Sequence, residues 1–481
     1  MRKEKALPGR ISTATVTDTG RVLTQVLAPT LAAGVIKRRI NAMGLLGKLR
    51  LDTGAVALLG RLRERYGPAP LRLRIPGRSV VLPLAAADVG RLLEGSPDPF
   101  SPATLEKRAA LRHFQPHGVL ISRGALRARR REFNDTVLEP DRPLHELAEP
   151  ITAVIHEEAV KLLDRAGPQL GWDEFAECWW RIVRRSVLGD SARDDHRLTD
   201  VLAALRYDGN WAYLRPRRRA LRESFDRHLR ERIRLAEPDS LAARVASTPE
   251  SPGVDAEGQL PHWLFAFDAA GMATFRTLAL LAAHPRDMRL AREEITTGDR
   301  LRPQQLPLLR ASVLESVRLW PTTPALLRES TADTGWGRAG TTFLVFTPFF
   351  HRDAGTLPYA DRFAPGIWLD GRARQNPALV PFSAGPGQCP GRNLVLFTAS
   401  TMLAVLLREH DFALSGGTHL DPEKPLPHTL DNFRLRFDVR TWRIAPATSS
   451  PANDEKEAHR ENGRRALPRR RGRQEQPGHP R

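Results

Sequence analysis

The chain reads as a mainly α protein with small β-sheets, folded as a single large domain. Three observations predict this. Almost every segment from Ala86 to Arg328 carries apolar residues at helical spacing. Strand-like alternation is confined to short stretches, and 41% of the residues are hydrophobic, enough for a sizeable core. Two cysteines in 481 residues exclude a disulfide-stapled scaffold, a zinc-finger array and an iron–sulfur ferredoxin.

Residues 1–45 read as a weakly ordered arm with one apolar stretch, Val22 to Ile36. That stretch is shorter than the ~20 residues a bilayer span needs, and no secretory leader is legible. AVALLGRLRERYG, after Asp52, has helical spacing and stops at Gly67. LRLRIPGRSVVLPL alternates on both sides of Pro76-Gly77, which predicts a two-stranded hairpin. Helical patterns follow at Ile151–Asp164, Trp172–Val187 and Arg215–Leu235. The most apolar long segment, His262–His284, contains Asp268 and Arg276, charges that suit a helix buried in protein rather than in lipid. Strand signals return at Thr341–Phe346 and Asn432–Val439. Between them, Thr347 to Cys389 is irregular and rich in Gly and Pro, a length that points to function. Residues 446–481 are polar, proline-dotted and basic, and are expected to be disordered.

The net charge of +19 comes from 74 Lys and Arg against 55 Asp and Glu. Only 8 of the basic residues are Lys, so the excess is a bias for Arg throughout. A nucleic-acid-binding role is therefore not inferred from it, although such a charge steers acidic partner proteins. With two cysteines and no export signal, a cytoplasmic location and no integral membrane span are expected.

Cys389 lies in PFSAGPGQCPGRNLVLFTASTMLAVLL, a Gly/Pro loop running into an apolar helix. Gly385, Gly387 and Gly391 would let backbone approach a flat ligand closely. A helix starting near Pro390 would favour the thiolate. Read from the residues alone, Cys389 is either a thiolate ligand or a buried structural cysteine.

Phe382, Gly385, Cys389 and Gly391 form FxxGxxxCxG, which resembles the heme-binding signature of the cytochrome P450 family. Upstream, Glu315 and Arg318 in LRASVLESVRLWP resemble the family's ExxR pair. Ala270, Gly271 and Thr274 resemble its AGxxT oxygen-binding segment. The resemblance spans about Asp52 to Val439. It implies a cytochrome P450-like fold, a heme-thiolate catalytic domain over 46–445, heme b ligated by Cys389 and O2 as cosubstrate. It further implies that Arg328 meets a heme propionate, as does an arginine of LRARRREFN, placed at Arg130 with Arg131 as the alternative. Glu315 and Arg318 would brace the heme loop, while Ala270, Gly271 and Thr274 would face oxygen.

Four positions depart from the family pattern. Ala273 stands where an acid commonly precedes the threonine, leaving water or Asp268 to relay protons. Gly387 stands where Arg or His often holds a propionate. Ile367 in FAPGIW replaces the arginine of FxPERF, unless Arg362 or Arg352 reaches in. Leu126 replaces the His or Trp four positions before Arg130. The implied reaction inserts one oxygen atom of O2 into a small apolar substrate, with electrons from a separate ferredoxin or flavodoxin-type donor. The alternatives are a peroxygenase or isomerase needing no reductase, and a non-catalytic heme-binding protein.

Overall fold

The structure, a computed structural model, describes residues 11–441. The basic segment 446–481 lies outside the described residues. The fold is mainly helical, with two small sheets. The predicted hairpin forms from Leu71–Ile75 and Arg78–Leu82, paired antiparallel, and Gly77 takes the positive φ its turn demands. It joins a six-stranded sheet in which Arg78–Leu82 runs parallel to Thr342–Phe346, and that strand pairs antiparallel with Ala325–Ser330. The second sheet holds Gln169–Gly171, Arg436–Thr441 and His410–Ser415, all antiparallel.

The expected helices are present as Leu51–Tyr66, Ala148–Ala166, Trp172–Leu188 and Arg219–Leu235. The apolar segment forms the Leu260–Ala283 helix, about 36 Å long at ~1.5 Å per residue. By length and composition it could cross a membrane, but 78% of its most apolar 18-residue window is buried in protein, as its internal charges require. It packs against the Trp172–Leu188, Pro307–Leu319 and Arg392–Glu409 helices in the larger of two hydrophobic cores. The second core lies between the six-stranded sheet and the Leu51–Tyr66 and Ala86–Glu94 helices.

Residues 11–45 are not a weakly ordered arm. Ser12–Thr13 adds a parallel strand beside Leu71–Ile75, and Val16–Val22, Ala28–Ala33 and Ile40–Lys48 are helical. The tether is polar, which apolar periodicity does not register: Asp18, 2% exposed, accepts from the Tyr66 hydroxyl at 2.7 Å and pairs with Arg65 at 3.0 Å. Val22 and Val26 bury themselves behind it.

Candidate functional site

Cys389 closes its loop with a backbone bond from its N–H to the Phe382 carbonyl at 3.0 Å. The glycines have different jobs. Gly385 has φ +61°, and a Cβ there would lie 2.4 Å from the Leu93 carbonyl oxygen, so its bareness serves packing against the Ala86–Glu94 helix rather than a ligand. At Gly387 a Cβ would meet the Arg328 guanidinium at 3.2 Å. Only Gly391 faces open space, its nearest neighbour being Leu138 at 4.0 Å.

Cys389 is deep inside the protein yet keeps accessible surface, the combination that marks an internal void. Lys107 and His262 share it. Along the central helix, His262, Phe265, Ala266 and Ala269 also keep accessible surface, at the spacing of one helical face. Ala266 and Ala269 are the small side chains on that face. Burial pushes the Cys389 thiol up, against the expectation from the helix start, because the helix begins only at Arg392. The Gly391 N–H, Arg131 and Arg392 oppose that shift. A desolvated sulfur surrounded by groups that favour its anion suits a metal cation, which supplies the missing charge.

The ExxR pair is a closed unit. Arg318 grips both carboxylate oxygens of Glu315 at 2.7 Å, and both side chains are 0% exposed. Arg318 also donates to the carbonyls of His351, Ala360, Tyr359 and Arg362. The third member is neither Arg352 nor Arg362. The Trp368 indole N–H donates to Glu315 at 2.8 Å and the Ala364 N–H at 3.0 Å, while Arg352 is held by Asp361. Breaking such a pair by removing one charge costs about 3–5 kcal/mol.

On the central helix the Thr274 hydroxyl is fully buried and donates to the Ala270 carbonyl at 2.8 Å. Gly271 faces elsewhere: a Cβ there would strike the Trp179 indole at 2.8 Å, and that indole donates to the Phe267 carbonyl at the same distance. Gly271 therefore serves helix packing, which corrects its assignment to the oxygen site. Asp268 is bound to Arg206 at 2.7 Å and is not free to stand in for the acid missing at Ala273.

Arg130 is also reassigned. Its guanidinium donates to the Val254 and Gly253 carbonyls and to Ser122, so it braces the loop before the central helix. Arg131 donates to the Gln388 carbonyl at 2.7 Å, clasping the cysteine loop, with Asp135 behind it. With Arg131 as the reference, the position four before is Arg127, not Leu126. Arg127 is 5% exposed, its Nε has no partner, and its charge lowers the pKa of Arg328. Arg328 is 3% exposed, donates to Ser96 and Ser383, and is pushed down to about 10, chiefly by burial. Lys107 is pushed down to about 7 by burial and by Arg328, and its ammonium donates to the Leu327 carbonyl at 3.2 Å. Arg127, Arg328 and Lys107 thus form a buried cation group with no carboxylate bound to it among the described residues. Two propionates would satisfy it, so the residues present fit a heme. Sequence reasoning missed Arg127 and Lys107; the four-residue step from Arg127 to Arg131 was the available signal.

A thiol-bearing Gly/Pro loop clasped by Arg131, beside a buried cation group, fits a heme-thiolate type of site. The family model "Cytochrome P450" matches residues 266–432, which include Ala270, Thr274, Glu315, Arg318, Arg328 and Cys389. The chain is 33% identical over 227 residues to cyclooctat-9-en-7-ol 5-monooxygenase of Streptomyces melanosporofaciens, covering 43% of this chain and 49% of that one. It is 28% identical over 178 residues to probable cytochrome P450 4s3 of Drosophila melanogaster, covering 36% of each. These matches span less than half of the relatives' own length. Among solved structures, a cytochrome P450 designated CYP102L1 superposes with a TM-score of 0.66 at 18% identity, covering 80% of this chain and 94% of that one. The retinoic acid-bound cyanobacterial CYP120A1 gives 0.63 at 18%, over 79% and 93%. At such identity the likeness shows the fold. Residues 266–432 thus match the cytochrome P450 family model within a fold that solved cytochrome P450 structures share, a likeness that implies heme b as cofactor and O2 as cosubstrate.

Proposed function

We propose that the protein is a heme-dependent monooxygenase that inserts one oxygen atom of O2 into a small apolar substrate. The observation carrying this reading is Cys389, enclosed yet accessible, in a loop clasped by Arg131, with Arg127, Arg328 and Lys107 forming a cation group that lacks an anion. Cys389 would hold the iron, and those three cations the propionates. When bound, a thiolate-ligated heme supplies oxygen activation and the oxidising chemistry. The chain's own part is to position: Ala266, Ala269 and Ala270 leave room above the ring, and Thr274, whose hydrogen is committed to the Ala270 carbonyl, presents its oxygen lone pairs. The relative named for cyclooctat-9-en-7-ol supports an apolar alcohol as the substrate class.

Electrons come from a separate donor. Arg131, Arg392 and Arg374 stand around the cysteine loop, a face suited to an acidic ferredoxin or flavodoxin. Ala273 and the engagement of Asp268 by Arg206 favour a second reading, turnover with peroxide in place of a reductase. The reduced carbon monoxide spectrum tests the site: a red-shifted Soret band is expected in the wild type and none in Cys389→Ala. A band surviving in the variant refutes the ligation. Product formed with peroxide but not with any reductase system would select the second reading.

A further inference from the structure

A cleft of about 290 Å³ opens between the segment after the Leu105–Leu111 helix and the start of the Arg219–Leu235 helix, lined by Arg112, His113, His117, Arg217, Arg218, Arg219 and Arg222. No carboxylate lines it. Elsewhere on the surface clustered arginines are held by acids: Glu158 holds Arg185 and Arg193, and Asp195 holds Arg232. At the cleft, Asp208, Asp226 and Asp255 bind Arg218, Arg222 and His117 but do not line the space, and among the described residues Arg112, Arg217 and Arg219 have no acidic partner. Guanidiniums converging on a concave site without a counter-charge repel one another, and an anion with several oxygens relieves this by accepting from their planar forks.

We propose that this cleft binds a phosphate-bearing anion, a phosphomonoester or diphosphate group. The wall that presents His113 to the cleft is followed at once by Phe114, edge-on to Phe265 of the central helix at 5.9 Å, and by Gln115, hydrogen-bonded to His262 at 3.0 Å. An occupant therefore sits one residue from groups that contact the accessible face of the central helix. A phosphate carried on an apolar chain that reaches the chamber and a free anion bound alone share this chemistry.

Calorimetric titration of the heme-loaded protein with inorganic diphosphate, at constant ionic strength, tests the site. Arg217→Gln/Arg219→Gln is the comparison, both positions being exposed and away from Cys389. Saturable one-to-one binding, weakened at least tenfold in the variant, is expected. Heat no greater than that of chloride at equal ionic strength, or equal affinity in variant and wild type, would overturn the proposal. Dodecyl phosphate separates the sources: a Soret shift in the wild type, lost in the variant, means that the anion belongs to the substrate, and diphosphate binding without any such shift means a free anion. The calorimetric result stands even if the carbon monoxide spectrum defeats the heme-thiolate reading.

Discussion

Arg318→Leu removes a guanidinium that makes two 2.7 Å bonds to a carboxylate at 0% exposure and satisfies four backbone carbonyls. What remains is the Glu315 carboxylate with two donors, Ala364 N–H and the Trp368 indole. An uncompensated buried charge costs about 3–5 kcal/mol, a large fraction of the roughly 5–15 kcal/mol that folded domains possess. That variant is expected to be recovered poorly. Trp368→Phe is the milder probe: it removes a single hydrogen bond to a charged group and should cost about 1.5–3 kcal/mol. Urea unfolding followed by far-ultraviolet circular dichroism reads the loss as a lower midpoint at unchanged slope. Arg372→Ala, at an exposed pair with Asp370, should leave the midpoint where it is. A Trp368→Phe protein as stable as wild type would show that the indole does not complete the unit, and the account of how Ile367 is tolerated would fall.

Other substitutions separate roles in the same way. His351 is neutral, its Nδ1–H donating to the Arg318 carbonyl and its Nε2 accepting from Val380, and burial followed by the Arg318 charge pushes its pKa down to about 3. Because the folded value lies below the unfolded ~6.5, this ring's stabilisation is complete above pH 6.5. It should fall by about 1.4 kcal/mol per unit towards pH 3, and chemical denaturation should find the overall slope reduced by that amount in His351→Gln, the shares of His262 and His428 remaining. Gly271→Ala forces a methyl against Trp179 and should cost about 1–3 kcal/mol in thermal unfolding; an unchanged melting temperature contradicts the packing role. Arg127→Leu should lower the heme content of the purified protein, read from the ratio of Soret to protein absorbance, while Arg130→Leu should retain heme; the reverse order would return the propionate contact to Arg130.

What the sequence revealed, and what it hid, follows from range. Local periodicity shows the hairpin at Pro76-Gly77 and the central helix, because each is written in consecutive residues. The Cys389 loop and the Glu315–Arg318 pair were legible because chemistry fixes their spacing. The ordering of residues 11–45 was not, since it depends on Asp18 finding Tyr66 far along the chain. Gly271 and Arg130 were misread for a related reason. A motif names a residue type, whereas the direction a side chain takes is decided by partners such as Trp179 and the Gly253 carbonyl.

The contact at Gly385 has a mechanical consequence. Its bare α-carbon lies against the Leu93 carbonyl, so the cysteine loop is cast against a helix belonging to the sheet-side core. Any side chain at position 385 would therefore wedge the cysteine loop and that helix apart together.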